Sequence, residues 1–437
     1  VKNCDVERRL MKTLAEITAE LAGYDPQSVH VTDVVATTCA LVADLKADPS
    51  NHETVDIGDL TGRVLAQPVI SPISVPPHDN SAMDGYAFAY GDWDGERPLR
   101  LTVAGQRLAG DTGLAEAPVE TGACVHIMTG AVMPAGADTV VPTELCTREG
   151  DTVVINGGGL RAGDNRRFAG EDLQAGGVAV PAGQVMHAAA VGLLASLGIN
   201  SAVVVRRPRV AYFSTGSEIL SFGDAPRSGA VYDSNRWVML SLLRSWGATP
   251  IDMGVIPDDP AQLAAAFTQA AAQADMIISS GGVSVGEADH TKAMMRQLGD
   301  VTFWRVAMRP GRPMAVGRVN GCPVFGLPGN PVAVMVTFLA FVRPALQTLA
   351  GAEPTPLPMA VARSVEKIRK RPGRTEYQRG VASFDADGSL TVSVLPNQGS
   401  GVLSGMVRAN CLVVLSHEQP TVEVGDAVTI WWLDRFI

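Results

Sequence analysis

The sequence predicts an α/β multidomain protein, in which a doubly wound, mostly parallel sheet stands between smaller β domains. From about residue 207 to 346, apolar strand-length runs alternate with helix-length runs. That βαβα rhythm is the pattern of a sheet covered on both faces. From about 85 to 155, and again from 359 to 437, the runs are short and separated by Gly and Pro turns, which points to all-β units. A length of 437 residues fits about three domains.

The elements follow in order. Leu10, Leu14, Ile17 and Leu21 recur at helical spacing and predict an amphipathic helix over 1–24, ending at Gly23. A second helix runs from Thr32-Asp33 to Leu45, and Asp48-Pro49-Ser50-Asn51 breaks it. Residues 53–70 read as a short helix and a strand, followed by a Pro-rich loop over 71–78. Strands at 99–103, 123–128, 139–141 and 152–155 suggest a small antiparallel barrel or sandwich, and Gly157-Gly158-Gly159 marks its exit. In the α/β segment, strands at 210–214, 249–256, 276–280 and 324–327 alternate with helices at 235–246, 261–274, 288–298 and 331–346. Asp233-Ser234 caps the first of these helices. Pro354, Pro356 and Pro358 form a linker to the last β domain.

Composition narrows the function. Hydrophobic residues are 46% and charged residues 18%, enough to bury sizeable cores. The net charge is 35 − 45 = −10, which argues against a nucleic-acid coat but permits a small anion in a local basic pocket. The six cysteines (Cys4, Cys39, Cys124, Cys146, Cys322, Cys411) contain no CxxC. Free thiols in a cytoplasmic protein are expected rather than a zinc site or a disulfide framework. No signal-peptide pattern opens the sequence, and the apolar run 332–342 is too short to span a bilayer. No membrane association is expected.

Ligands of open parallel sheets bind at the carboxyl ends of strands, and the loops there are rich in small residues. They are Ser214-Thr215-Gly216-Ser217-Glu218, Ser280-Gly281-Gly282-Val283-Ser284-Val285-Gly286-Glu287-Ala288-Asp289, and Gly326-Leu327-Pro328-Gly329-Asn330-Pro331. Glycine lets a phosphate approach backbone N–H groups. Neither GxGxxG nor the P-loop pattern is present, nor is HExxH, which disfavours dinucleotide oxidoreductases, P-loop ATPases and zinc metalloproteases. Arg305, Arg309 and Arg312 fall in one segment with Pro310, Gly311 and Pro313 and suit anion binding. Glu218, Asp258, Asp259, Glu287 and Asp289 follow strand ends. Carboxylates gathered near phosphates imply Mg²⁺, while Asp258-Asp259 before Pro260 reads equally well as a helix cap.

At these residues the sequence resembles the molybdopterin molybdenumtransferase family. The matching segments are Asp79-Asn80-Ser81-Ala82-Met83-Asp84-Gly85-Tyr86, Met128-Thr129-Gly130-Ala131 and Arg167-Phe168-Ala169-Gly170-Glu171-Asp172, then the three loops above, Pro310-Gly311-Arg312-Pro313, Arg379-Gly380 and Gln398-Gly399-Ser400. The resemblance runs in order from about residue 31 to the C-terminus. It implies a segmented N-terminal domain (1–70 and 156–206), an inserted β domain (71–155), a molybdopterin-binding α/β domain (207–350) and a C-terminal β-barrel (355–437).

The resemblance further implies insertion of molybdenum from molybdate into adenylylated molybdopterin, with release of AMP and help from Mg²⁺, in a homodimer. A molybdopterin adenylyltransferase and client molybdoenzymes would be partners. Asp84, Thr129, Glu218 and Asp289 match positions tied to activity, with Glu218, Asp289, Asp258 and Asp259 as metal candidates. Asp84 and Thr129 would reach in from the partner subunit. Ser214, Thr215, Gly216, Gly281, Gly282, Ser284, Pro328 and Pro331 would contact the pterin substrate. Ser400 with either Arg374 or Arg379 would hold molybdate. Arg305, Arg309 and Arg312 stand where several relatives carry Lys, keeping charge but not geometry. The alternatives are a non-catalytic pterin carrier or scaffold, a tungstate-preferring homologue, or an adenylyltransferase.

Overall fold

The computed structural model describes residues 13–19, 21, 25–45, 49–95, 97–111, 117–156, 159–282 and 290–433. At its centre is a six-stranded sheet in the order Thr249–Ile256, Arg209–Thr215, Met276–Ser280, Cys322–Leu327, Pro313–Val319, Gly299–Arg305. The first four strands are parallel. The last two, which the sequence pattern does not reveal, extend the sheet antiparallel. Glycines hide them: a Cβ on Gly317 would lie 2.0 Å from the Asp300 carbonyl oxygen, so the close strand crossing requires a residue that interrupts the apolar pattern.

Helices cover the sheet as expected. Asp233 caps Ser234–Ser245 by accepting from the Arg236 N–H, and Asp259 caps Pro260–Gln273 by accepting from the Gln262 N–H. The helix His290–Leu298 lies between Met276–Ser280 and Gly299–Arg305 in the chain. Pro331–Leu349 is one helical run of 19 residues with a π-turn at Phe338–Val342. It is longer than its apolar run suggests, and its length and apolarity meet those of a membrane span. Burial of 94% within the protein accounts for that apolarity.

Helices Leu14–Ala19 and Val31–Ala43 belong to the same core as this helix. Leu14, Ile17, Val34 and Leu41 pack in one cluster with Tyr212, Phe325 and Phe341, and with Tyr377, Met406 and Leu412 from the C-terminal region. In the domain division that the resemblance implies, 1–70 groups with 156–206; the apolar stripe of Val31–Ala43 packs on the α/β layer. Arg318 ties it there through both carboxylate oxygens of Asp44, at 2.8 and 2.9 Å, and through the Leu41 carbonyl.

The remaining N-terminal segments form smaller layers. His52–Asp56 pairs antiparallel with Ser201–Val205, and Val69–Ile70 with Val178–Val180. Residues 53–70 thus hold the expected short helix, a 3₁₀ turn at Ile57–Asp59, and the strand Val69–Ile70, with the strand His52–Asp56 standing before them. So short a run has no decisive period. The inserted sheet runs Thr139–Pro142, Gly85–Phe88, Ala123–Ile127, Leu99–Arg107, Thr152–Ile155, Cys146–Glu149. It is mixed rather than antiparallel, because Leu99–Arg107 runs parallel to Ala123–Ile127.

In the C-terminal region, Met359–Ser364, Thr375–Phe384, Leu390–Val394, Cys411–Leu415 and Ala427–Trp432 pair in a closed ring, a five-stranded barrel. Met308–Arg309 adds to it in parallel against Thr375–Glu376.

Leu41→Ala tests the shared core. Leu41 is fully buried, so the substitution should cost about 2–5 kcal/mol, read as a lower urea midpoint. No change in the midpoint would mean that this helix does not contribute to the α/β core.

Candidate active site

The carboxyl ends of three neighbouring parallel strands converge. Ser214 stands beside Ser280, and Ser280 beside Leu327. The Gly281 N–H donates to the Leu327 carbonyl at 3.2 Å. A Cβ on Gly281 would lie 2.4 Å from the Thr215 carbonyl oxygen, and one on Gly282 would lie 2.3 Å from Thr291 Oγ1. Both glycines have positive φ, +91° and +65°, so no other residue fits without strain. The loop backbones therefore meet directly and leave their surface open to a ligand.

Hydroxyls line this junction. Tyr212 Oη bonds Ser214 Oγ at 2.9 Å and Ser280 Oγ at 2.6 Å. Burial raises the Tyr212 phenol far above its ordinary range, and the two serine bonds offset only part of that. Among the described residues, Thr215 Oγ1, Ser279 Oγ, Thr291 Oγ1 and Asn235 Oδ1 are buried without a partner. Each such atom costs about 1–3 kcal/mol if nothing else satisfies it, which marks the junction as a place for a polar ligand. Asn235 Nδ2 donates to the Gly329 carbonyl at 2.7 Å and anchors the third loop. Sequence reasoning missed Asn235 and Thr291. The Asp233-Ser234-Asn235 cap was the available signal for the first.

Glu218 folds back over the turn. Gly216 has φ +147°, and the position its Cβ would take is 2.7 Å from both carboxylate oxygens of Glu218. The carboxylate is exposed and has no hydrogen-bond partner among the described residues. Ser284, Glu287 and Asp289 lie outside the described residues. Asp259 caps its helix, with Oδ1 accepting from the Gln262 N–H at 2.9 Å, the cap that the sequence offered beside a metal role. Asp258 is exposed beside it. No cluster of three or more His, Cys, Asp or Glu occurs among the described residues. Glu218 still fits Mg²⁺, which commonly binds through one or two carboxylates with phosphate oxygens and waters.

A second constellation lies where the barrel meets the sheet. Arg305 ends its strand, Arg309 lies in the short strand paired with the barrel, and Arg312 follows Gly311. They are therefore distributed over a strand end and a turn rather than one free loop, and all three are exposed. Gly311, at φ +94°, packs so closely on Pro331–Leu349 that a Cβ would lie 2.5 Å from Thr337 Cγ2. The Ser400 carbonyl accepts from the Val332 N–H in the first turn of the same helix, at 3.0 Å. Ser400 and the arginine turn thus share one helix end, next to Pro328 and Pro331.

Burial distinguishes Arg374 from Arg379. Arg379 is 1% exposed. Its guanidinium donates to the carbonyls of Val402, Asn397 and Gly399 and to Gln398 Oε1. It clasps the loop that carries Ser400 and spends four of its five N–H donors there. Arg374 is the exposed one, anchored through Nε to Glu376 Oε1 at 2.9 Å.

Asp84 and Thr129 meet on the inserted sheet. Asp84 Oδ1 accepts from the Thr129 hydroxyl at 2.6 Å and from the Thr129 N–H at 2.7 Å. The Thr129 hydroxyl and then its N–H hold the Asp84 carboxyl below its ordinary range, with a smaller contribution from His126. Nearby, Asp79 pairs with Arg166 and accepts from the Ala169 N–H at 2.8 Å, fixing the Pro-rich loop to the charged segment that follows.

Small-residue loops at the strand ends of a doubly wound sheet, with an arginine seam beside them, define an α/β protein that binds phosphorylated or oxyanionic ligands. Comparison with known proteins specifies it. The family described as "MoeA N-terminal region (domain I and II)" matches residues 29–198. "Probable molybdopterin binding domain" matches 211–348, and "MoeA C-terminal region (domain IV)" matches 361–433. A molybdopterin molybdenumtransferase of Haemophilus influenzae is 38% identical over 383 residues, covering 87% of this chain and 94% of that protein. One from a Nostoc species is 36% identical, covering 86% and 88%. The molybdopterin biosynthesis moeA protein of Pyrococcus horikoshii superposes with a TM-score of 0.77 at 26% identity, over 93% of this chain and 100% of that one. The chain belongs to the molybdopterin molybdenumtransferase family.

Thr129→Val tests the Asp84 geometry. In the wild type the Asp84 carboxyl should titrate below 3.8 in a carbon-detected NMR experiment. The bonds favour the ionised form, so removing the hydroxyl should move the midpoint upward. An unchanged midpoint would show that the hydroxyl does not hold the carboxylate.

Proposed function

We infer that this chain inserts molybdenum from molybdate into molybdopterin, as the final metal-loading step of molybdenum-cofactor biosynthesis. The observation that carries the reading is the pair of constellations on one helix end. Gly281, Gly282 and Gly329 open a polar junction, and Ser400 with the Arg309–Arg312 turn stands at the first turn of Pro331–Leu349. This juxtaposition supports a reading in which pterin phosphate and oxyanion bind side by side.

The substrate we propose is adenylylated molybdopterin. Its phosphates meet the N–H groups and hydroxyls of Thr215, Gly281 and Gly282. Glu218 would hold Mg²⁺ there, and the ion would supply neutralisation of phosphoanhydride charge. Arg309, Arg312, Arg374 and Ser400 hold molybdate as the second substrate. Water adds to the phosphoanhydride, which splits into AMP and the pterin's own phosphate, and the two dithiolene sulfurs bind molybdenum as one molybdate oxygen leaves as water with the two thiol protons. Asp84 and Thr129 act from the partner subunit of a homodimer, with Asp84 ionised at neutral pH. A carrier that only binds pterin would not need an oxyanion seam, so the enzymatic reading is preferred.

Glu218→Gln should reduce AMP release from adenylylated molybdopterin sharply while the melting temperature stays unchanged. Full turnover at limiting Mg²⁺ would remove Glu218 from the mechanism. Arg309→Ala should weaken molybdate binding by roughly tenfold to a hundredfold, the worth of one charge-assisted contact, and Arg309→Lys should recover part. Wild-type affinity in Arg309→Ala would return the arginine to the solvated surface.

The shared site makes its own prediction. Asp84→Ala and Glu218→Ala proteins, each inactive alone, should regain partial activity after mixing and subunit exchange, because half of the heterodimer's sites are intact. Background activity despite demonstrated exchange would refute the arrangement.

A further inference from the structure

We propose that Glu376 is the positioning residue that aims Arg374 into the oxyanion seam and so sets how tightly the seam holds a tetrahedral anion. The proposal rests on the reading of that seam as the molybdate site.

Glu376 is an acid buried to 3% exposure in the barrel wall. Both of its oxygens are engaged: Oε1 accepts from Arg374 Nε at 2.9 Å, and Oε2 from Gln378 Nε2 at 3.1 Å. Nε is the inner nitrogen of the Arg374 guanidinium. The outer pair has no partner among the described residues, and the side chain is 45% exposed. The arginine is therefore held by its inner edge and presents its fork outward, the arrangement that grips two oxygens of one anion.

The same dipeptide locates the neighbouring arginine. Thr375–Glu376 pairs in parallel with Met308–Arg309, and the Thr375 N–H donates to the Ala307 carbonyl at 2.9 Å. Glu376 thus fixes Arg374 through its side chain, while its backbone stands beside Arg309. From the other side, buried Lys370 donates to the carbonyls of Arg371, His417 and Gln419 at 3.0, 3.4 and 3.4 Å and locks the turn that leads to Arg374. An exposed arginine otherwise loses its rotamer freedom when an anion binds. Here that freedom is removed before binding, which is preorganisation.

Isothermal titration with molybdate alone tests this on the full-length protein. Glu376→Ala should weaken binding about tenfold, the lower end of what a charge-assisted contact is worth. Glu376→Gln, which keeps an oxygen for Nε, should recover part of the loss. In an Arg374→Ala background, Glu376→Ala should add nothing, because its effect runs through the arginine. If Glu376→Ala fails to fold, Glu376→Gln in both backgrounds carries the same comparison. Equal losses in both backgrounds, or wild-type affinity in the Glu376 variants while Arg374→Ala binds weakly, would overturn the role. Wild-type affinity in Arg374→Ala, or no molybdate binding by the wild type, would instead overturn the seam reading on which the role rests.

Discussion

The structure depends on the burial of one helix. Pro331–Leu349 is apolar on every side because it has neighbours on every side: the sheet, the N-terminal helix Val31–Ala43, and residues of the C-terminal region. A helix in that position cannot shift without opening the common core, so whatever is attached to its first turn is held to the same standard. Ser400 meets that turn at Val332, and Gly311 packs on the same helix at Thr337. Two segments outside the helix are thereby placed with the precision of a core rather than that of a surface loop.

Around that fixed point, polar groups are managed in two opposite ways. Arg379 is satisfied by four separate residues of the loop it clasps, and a buried guanidinium so fully bonded is part of the framework. At the sheet junction, hydroxyls of Thr215, Ser279 and Thr291 are buried and left open. Such atoms are costly in an empty protein and useful in a loaded one. Two arginines five residues apart, Arg374 and Arg379, play these different parts because one side chain enters the barrel core and the other leaves it.

Much of this was legible in the residues. Strand–helix alternation from 207 to 346 and the small-residue loops at its strand ends lie close together in sequence, and local pattern carries them. The caps at Asp233 and Asp259 are likewise local. The partner of Val31–Ala43 was not legible, because an amphipathic stripe says that a helix packs but not against what. The strands at Gly299–Arg305 and Pro313–Val319 were hidden by the glycines their close approach demands. The choice between Arg374 and Arg379 turns on which side chain is buried, and both stand in the same Gly- and Arg-rich stretch of sequence. The cap at Asp259 was legible because Pro260 follows it at the first helical position.

The strand Met308–Arg309 belongs to the chain of the α/β layer but is hydrogen-bonded into the barrel sheet. Its two backbone-paired residues act as a weld between the units. Swinging the barrel away from the sheet would break that ladder. Arg309 itself is exposed on the junction, so a solute reaches it while the two units stay joined.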